Sequence, residues 1–349
     1  MSNKINNDTI LKIVDTFDEC AMLYFDGTTD ELYENTDVTN YNVEKPHTNF
    51  FECLLKCAGY FLDGDEIKVD EEKIEEQIKQ KLDELKEYLE KTGVNSEEVR
   101  RAFLLLDIKG FKNVNFPLDL ITPDAIAIIL TELVKYSCAK ENINLLDFNF
   151  GVGNLAFTIV NHLEQNVRLI GFDNHSLMAS IATMKANMMN TMLDMYHEDC
   201  LDFLPSEIDV VVSDIATYNY ENALYHSPLY ERGVRYFPYL AIEHFLELKG
   251  DVTYIYLIDK DFFSQKGNDL FKEMLREKGT IKSLIALPEN FFQNDTFTKS
   301  ILVLSNTPSV DHASTEVFVL PPLKDTNLFL SVMKKIEEHL KKWGNLYEI

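Results

Sequence analysis

No run of apolar residues in this 349-residue chain approaches the roughly 18 that a membrane-spanning helix needs. The first ten residues, Met1 to Ile10, are polar and contain no apolar signal region, so the expectation is a cytoplasmic protein with no membrane partner. Cysteine is scarce: five residues, at 20, 53, 57, 138 and 200, odd in number and scattered, argue against a disulfide framework and for reduced thiols. Cys53 and Cys57 stand four apart on a predicted helix, but no second Cys/His pair lies nearby and the eight histidines show no H-E-x-x-H spacing. No metal site is expected. Basic residues are also in short supply. Against 58 Asp and Glu stand 33 Lys and Arg, giving a net charge of -25 that repels phosphate backbones and disfavours a nucleic-acid partner. The deficit is spread along the chain, net -12 over residues 1–116 and -13 over the rest. Internal repeats and low-complexity tracts are absent.

What is present is enough for a large core, with 46% hydrophobic residues in a length that allows two domains. Residues 1–116 read as a helical N-terminal domain. Ile74, Ile78, Leu82, Leu85 and Leu89 recur at spacings of four, four, three and four, one apolar stripe on an otherwise charged helix that ends near Gly93. A new start follows at Asn95 or Ser96, with Glu97 and Glu98 in the first turn. Such a segment caps a second domain, or offers a surface for a protein partner or a second copy of the chain.

Residues 117–349 change rhythm to short β-rich runs separated by helical periods. The strand candidates are Asn144 to Phe148, Arg168 to Asp173, Asp209 to Asp214, Val252 to Asp259, Ile281 to Leu287, Lys299 to Ser305 and Glu316 to Leu320. This alternation predicts an α/β, doubly wound sheet, closed by a helix from about Asn327 to Trp343. The methionines at 184, 188, 189, 192 and 195 read as adaptable packing.

The first of these strands runs into Asp147-Phe148-Asn149-Phe150-Gly151-Val152-Gly153-Asn154, a strand, a glycine turn and a helix start. Glycine at 151 and 153 admits backbone angles and close approaches that a Cβ would forbid, and the helix N-terminus beginning at Asn154 presents unpaired N–H groups. Asp173, twenty positions after Gly153, falls where a carboxylate reaches ribose hydroxyls. The turn also satisfies the dinucleotide form G-x-G-x-x-A, so NAD stays open on these residues alone. Three features point instead to S-adenosylmethionine. Asp147 lies on the strand just before the turn, placed to meet the amino acid end of a cofactor, Asp199 follows another short segment where an adenine amino group would donate, and Thr122-Pro123 opens a helix upstream.

These residues resemble the adenine-N6 type of class I methyltransferases, in particular YtxK-like proteins and the modification subunits of type I restriction systems, over about Leu118 to Asn306. Thr122-Pro123, Asp147, Gly151, Gly153, Asp173 and Asp199 match that family's cofactor positions. The most specific match is the late segment Ile285-Ala286-Leu287-Pro288-Glu289-Asn290-Phe291-Phe292 followed by Ser300-Ile301-Leu302-Val303-Leu304. The resemblance implies a Rossmann-like sheet, mixed and mostly parallel with seven strands, that binds S-adenosylmethionine and methylates an amino group, on a nucleic acid base in the family's enzymes.

In the family an Asn/Asp/Ser-Pro-Pro-aromatic turn accepts hydrogen bonds from the target amine through its first side chain and the next carbonyl, and stacks the base on the aromatic ring. Here the corresponding residues are Asp214-Ile215-Ala216-Thr217-Tyr218. Asp214 and the Ile215 carbonyl remain as acceptors, both prolines are missing, and Thr217 stands at the aromatic position with Tyr218 one place late. The turn departs from the family as well, with Phe148 and Phe150 at usually small or proline positions; Phe150 either crowds the cofactor or points into the core. Two readings follow: an N-methyltransferase, whose nucleic-acid acceptor would have to be single-stranded or flipped out of its duplex, and a methyltransferase-like protein with impaired catalysis that acts through cofactor or protein binding.

Overall fold

A computed structural model describes residues 5–28, 49–292, 298–307 and 315–344, so part of the predicted N-terminal helical region, residues 29–48, lies outside the described residues. The chain forms two compact units, Met1–Ile121 with Ser176–Met192, and Thr122–His175 with Leu193–Ile349.

The first unit holds α1 (Asn7–Asp26), α2 (Phe50–Asp63), α3 (Glu72–Thr92) and α4 (Ser96–Asn113). Local chemistry sets their starts. Asn49 with Glu52, and Asn95 with Glu98, form reciprocal capping boxes that satisfy first-turn amides of α2 and α4. The α3 stripe buries Ile78, Leu82 and Leu85 completely, while Ile74 and Leu89 at its ends are half-buried. Also in this unit lies α7 (Ser176–Met188), whose Lys185 meets Asp107 of α4 at 2.5 Å with both side chains buried. A pair removed so completely from water locks α7 to α4, because losing either partner strands a buried charge. Met184 and Met189 are buried here, whereas Met192 is exposed.

The second unit is built on one sheet of β1 (Asn142–Asp147), β2 (Asn166–Phe172), β3 (Leu193–Tyr196), β4 (Val210–Asp214), β5 (Thr253–Asp259), β6 (Thr280–Ala286), β7 (Lys299–Ser305) and β8 (Glu316–Val319). Their order is β3-β2-β1-β4-β5-β7-β6-β8, with β7 antiparallel to both neighbours and every other pairing parallel. The mixed, mostly parallel sheet is as expected, with eight strands among the described residues in place of seven. The additional strand, β3, has only four residues, all half-buried at the sheet edge, and Leu-Asp-Met-Tyr carries too little alternation to register as a strand. Central strands read differently: Val210 to Ser213 are all buried, the continuous run of a strand covered on both faces.

The helices of this unit are α5 (Asp124–Ser137), α6 (Asn154–His162), α8 (Pro228–Glu231), α9 (Phe237–Phe245), α10 (Asn268–Lys278) and α11 (Thr326–Gly344). The core on one side of the sheet is strongly aromatic. Phe148 stacks on Phe245 at 4.6 Å and meets Phe237 and Tyr256 edge-on, fixing α9 over β1 and β5. The order in which strands are added reverses between β1 and β4, because β2 and β3 extend the sheet from one side of β1 and β4 from the other. Beyond the strand C-termini at such a switch point is where α/β sheets hold ligands.

Candidate functional site

One aspartate stands at or just beyond the C-terminal end of each of five adjacent strands: Asp199 after β3, Asp173 after β2, Asp147 on β1, Asp214 on β4 and Asp259 on β5. Asp147 and Asp214 therefore flank the switch point. Four of these five were predicted site residues, and the sheet order brings them to one edge.

The glycine turn sits between β1 and α6. Gly151 and Gly153 adopt φ of 54° and 78°, the left-handed region that suits glycine. A Cβ at Gly153 would come within 2.4 Å of the Phe157 ring and 2.6 Å of the Phe150 ring. Phe150 is buried against Gly171 of β2, where a Cβ would lie 2.4 Å from its ring, and it contacts Phe157 edge-on. Both phenylalanines of the turn thus point into the core, which settles the alternative left open for Phe150.

Backbone amides organise the carboxylates on this side. Asp173 accepts from Gly151 N at 2.9 Å and from His175 N at 2.8 Å, one on each oxygen, so the turn and the β2 end are tied together. Burial still raises its pKa against those two bonds. Asp147 is almost fully buried and accepts from Asn149 N at 3.1 Å and Ser213 Oγ at 2.8 Å. Burial, aided by the neighbouring charges of Asp214 and Asp173, pushes its carboxyl up to about 7 despite these bonds. Asp199 accepts from Leu201 N at 3.0 Å and from the Tyr220 hydroxyl at 2.7 Å.

Asn154 is the first residue of α6, and its side-chain amide donates to Thr122 O at 2.8 Å and to Asp124 Oδ1 at 3.0 Å. Its side chain therefore joins the start of α6 to the start of α5 and holds the two helix ends beside the turn. Pro123 caps α5 at φ -62°, and Thr122, buried beside it, turns its hydroxyl to Asp214 Oδ2 at 2.9 Å.

The turn after β4 departs further from the sequence expectation. Asp214 Oδ1 accepts from Lys299 Nζ at 2.5 Å, a residue that no motif in the sequence marks. Lys299 opens the antiparallel β7 opposite Asp259, so its position at this edge follows from strand register. Thr217 donates to Asp259 Oδ2 at 2.5 Å, and the Ala216 amide donates to Asn149 of the glycine turn at 3.1 Å. The Ile215 side chain is buried, with its amide bonded to the Leu257 carbonyl at 3.1 Å. Tyr218 stacks one face on Phe237 at 4.5 Å and 14° while remaining 43% exposed, so it presents a braced aromatic surface. Arg235 directs its charge to the Tyr230 ring, 3.7 Å from the centroid, and to the backbone carbonyls of Tyr230 and Val234. Among the described residues no cluster of His, Cys, Asp or Glu suits a metal ion, and no helix is long and apolar enough to cross a membrane.

No known family profile matches the chain. It is 29% identical over 307 residues to the uncharacterized protein YtxK of Bacillus subtilis (strain 168), covering 84% of this chain and 92% of that protein. A Listeria monocytogenes structure described as a class I S-adenosylmethionine-dependent methyltransferase superposes with a TM-score of 0.75 at 23% identity, over 96% of this chain and 100% of that one. The type I restriction-modification methyltransferase subunit of Streptococcus thermophilus matches with a TM-score of 0.58 at 13% identity, over 95% and 91%. The chain is therefore similar in sequence to YtxK and has the fold of class I S-adenosylmethionine-dependent methyltransferases.

Proposed function

We propose that this protein binds S-adenosylmethionine beyond the ends of β1, β2 and β3 and that the adjoining turn after β4 receives an amino group for methylation. The row of carboxylates at one sheet edge carries the reading. The cofactor offers a sulfonium, an ammonium, ribose hydroxyls and an adenine amine, all cations or donors that a row of acceptors suits, and one carboxylate that calls instead for N–H donors of the kind the start of α6 presents. In this reading Asp173 takes the ribose hydroxyls, Asp199 the adenine amine and Asp147 the amino acid end, with Gly151, Gly153 and Asn154 closing around them. Thr122 and Pro123 border the same space from α5.

When bound, the cofactor supplies an electrophilic methyl group. The protein's own work is to hold the acceptor nitrogen in line and dry, since positioning and preorganised electrostatics provide most of the rate in such transfers. Asp214 and the Ile215 carbonyl are the acceptors for the amine N–H groups, and Tyr218 braced on Phe237 is the platform for a planar acceptor. Net charge of -25 favours a single nucleobase-like amine over a polyphosphate duplex. A second reading, cofactor binding without transfer, is favoured by one observation: both Asp214 oxygens are already bonded, to Thr122 and Lys299.

Calorimetric titration with S-adenosylmethionine and S-adenosylhomocysteine tests the cofactor reading. Saturable binding is expected with Kd on the order of 10 μM, about -7 kcal/mol. Absence of heat and of any thermal shift at millimolar ligand would overturn it.

A further inference from the structure

Asp214 is held from two sides. Thr122 Oγ1 donates to Oδ2 and Lys299 Nζ to Oδ1, with the Asp214 side chain 14% exposed and that of Lys299 18%. An ion pair this sheltered, with a hydrogen bond inside it, has little in common with the loose surface pairs that contribute almost nothing. Neither partner is easily released, because the other would remain as a half-buried charge. The pair is also anchored by strand register. Lys299 of β7 opposes Asp259 of β5, and the Asp259 carboxylate is bonded to Thr217, further along the turn that Asp214 begins.

The chemistry of the pair is that of the proposed reaction in miniature. A methyl acceptor must place an N–H on Asp214, and the lysine ammonium, with no lone pair to be methylated, already places one there. We propose that Lys299 is a resident occupant of the acceptor subsite, bonded to Asp214 where the amino group of a methyl acceptor would bind, so that an acceptor enters only by displacing it. Lys299 is then a specificity-determining residue. A weak or poorly fitting amine cannot compete with a full charge held at 2.5 Å, whereas an acceptor that also stacks on Tyr218 brings additional binding energy to the exchange. Thr122, on the opposite oxygen, keeps the carboxylate oriented while the exchange takes place.

This inference rests on the reading of Asp214 as the amine acceptor, and the test separates the two. Cofactor-product binding is measured first, by titrating S-adenosylhomocysteine into each protein; its absence from the wild type rejects the functional reading itself. With S-adenosylhomocysteine saturating, adenosine is then titrated as a probe amine into the wild type, Lys299→Met, Asp214→Asn, and the double variant Asp214→Asn with Lys299→Met. The double variant removes the Asp214 charge together with the Lys299 charge bonded to it, which keeps the test valid if Lys299→Met alone fails to fold. Adenosine is expected to bind at least about tenfold more tightly to the double variant than to Asp214→Asn, and to Lys299→Met than to wild type. Equal adenosine affinity with and without Lys299, including no binding in either, overturns the proposal while leaving the cofactor reading intact.

Discussion

At the ends of β1 and β2, Asp147 and Asp173 take hydrogen bonds mainly from backbone amides, those of Asn149 and Gly151 in the glycine turn and of His175 after β2, with the Ser213 hydroxyl as a side-chain donor to Asp147. At the ends of β4 and β5, Asp214 and Asp259 take theirs from side chains: Thr122, Lys299 and Thr217. Backbone donors are fixed by the fold and leave the carboxylate's remaining lone pairs oriented toward a ligand. Side-chain donors can be displaced when a competing donor takes their place. The first region is thus preorganised mainly by the backbone, while the second is satisfied by its own side chains.

The comparison breaks most severely at Gly153. Gly153→Val forces a β-branched residue to φ 78° and drives its Cβ into Phe150 and Phe157. A loss of about 3 kcal/mol or more is expected, read as a fall in urea midpoint, together with loss of cofactor binding. Near-normal stability would show that the turn is not the rigid element described.

A second test uses pH. Asp147 is raised to about 7 by burial, with Asp214 and Asp173 adding like charge and Ser213 and the Asn149 amide opposing. A cationic ligand beside it favours the ionised form, so cofactor affinity should rise about tenfold from pH 6 to pH 8 and then level off. Stability runs the other way. Because the folded pKa lies above the unfolded value, this group's contribution is full below about pH 4 and declines as pH rises toward 7, by at most about 4 kcal/mol. Asp147→Asn should flatten both profiles, and an unchanged slope would remove Asp147 from the site.

The smallest effect is expected at Tyr220, whose hydroxyl donates to Asp199 and accepts from the Asn222 amide. Tyr220→Phe should cost about 1 kcal/mol of stability and shift cofactor affinity by less than about threefold, since Asp199 keeps the Leu201 amide. A larger loss of affinity would mean that this carboxylate, unlike Asp173, depends on a side chain for its alignment.

The same contrast explains what the sequence revealed. The turn, its glycines and the strand-end aspartates were legible because they lie within one or two elements, where spacing and period carry the geometry; Gly151 and Asp173 are 22 positions apart. Lys299 and Thr122 reach Asp214 across 85 and 92 positions, and only sheet order brings them together. Asp259 and Lys299 could have been suspected from register, since a strand antiparallel to β5 begins where β5 ends. The buried pair of Asp107 and Lys185 gave no sign, because a lone charge on an amphipathic helix reads as solvated. Phe150 was ambiguous until Gly171 appeared as the space that receives its ring.

The most direct test of the preorganised half is a side-by-side calorimetric titration of S-adenosylmethionine into the wild type and Asp173→Ala at pH 8. Asp173 is held on both oxygens by backbone amides, so the wild type should bind saturably and the variant at least about tenfold more weakly, a loss of about 1.4 kcal/mol or more. Equal affinity in the two proteins, or no binding in the wild type, would contradict the account.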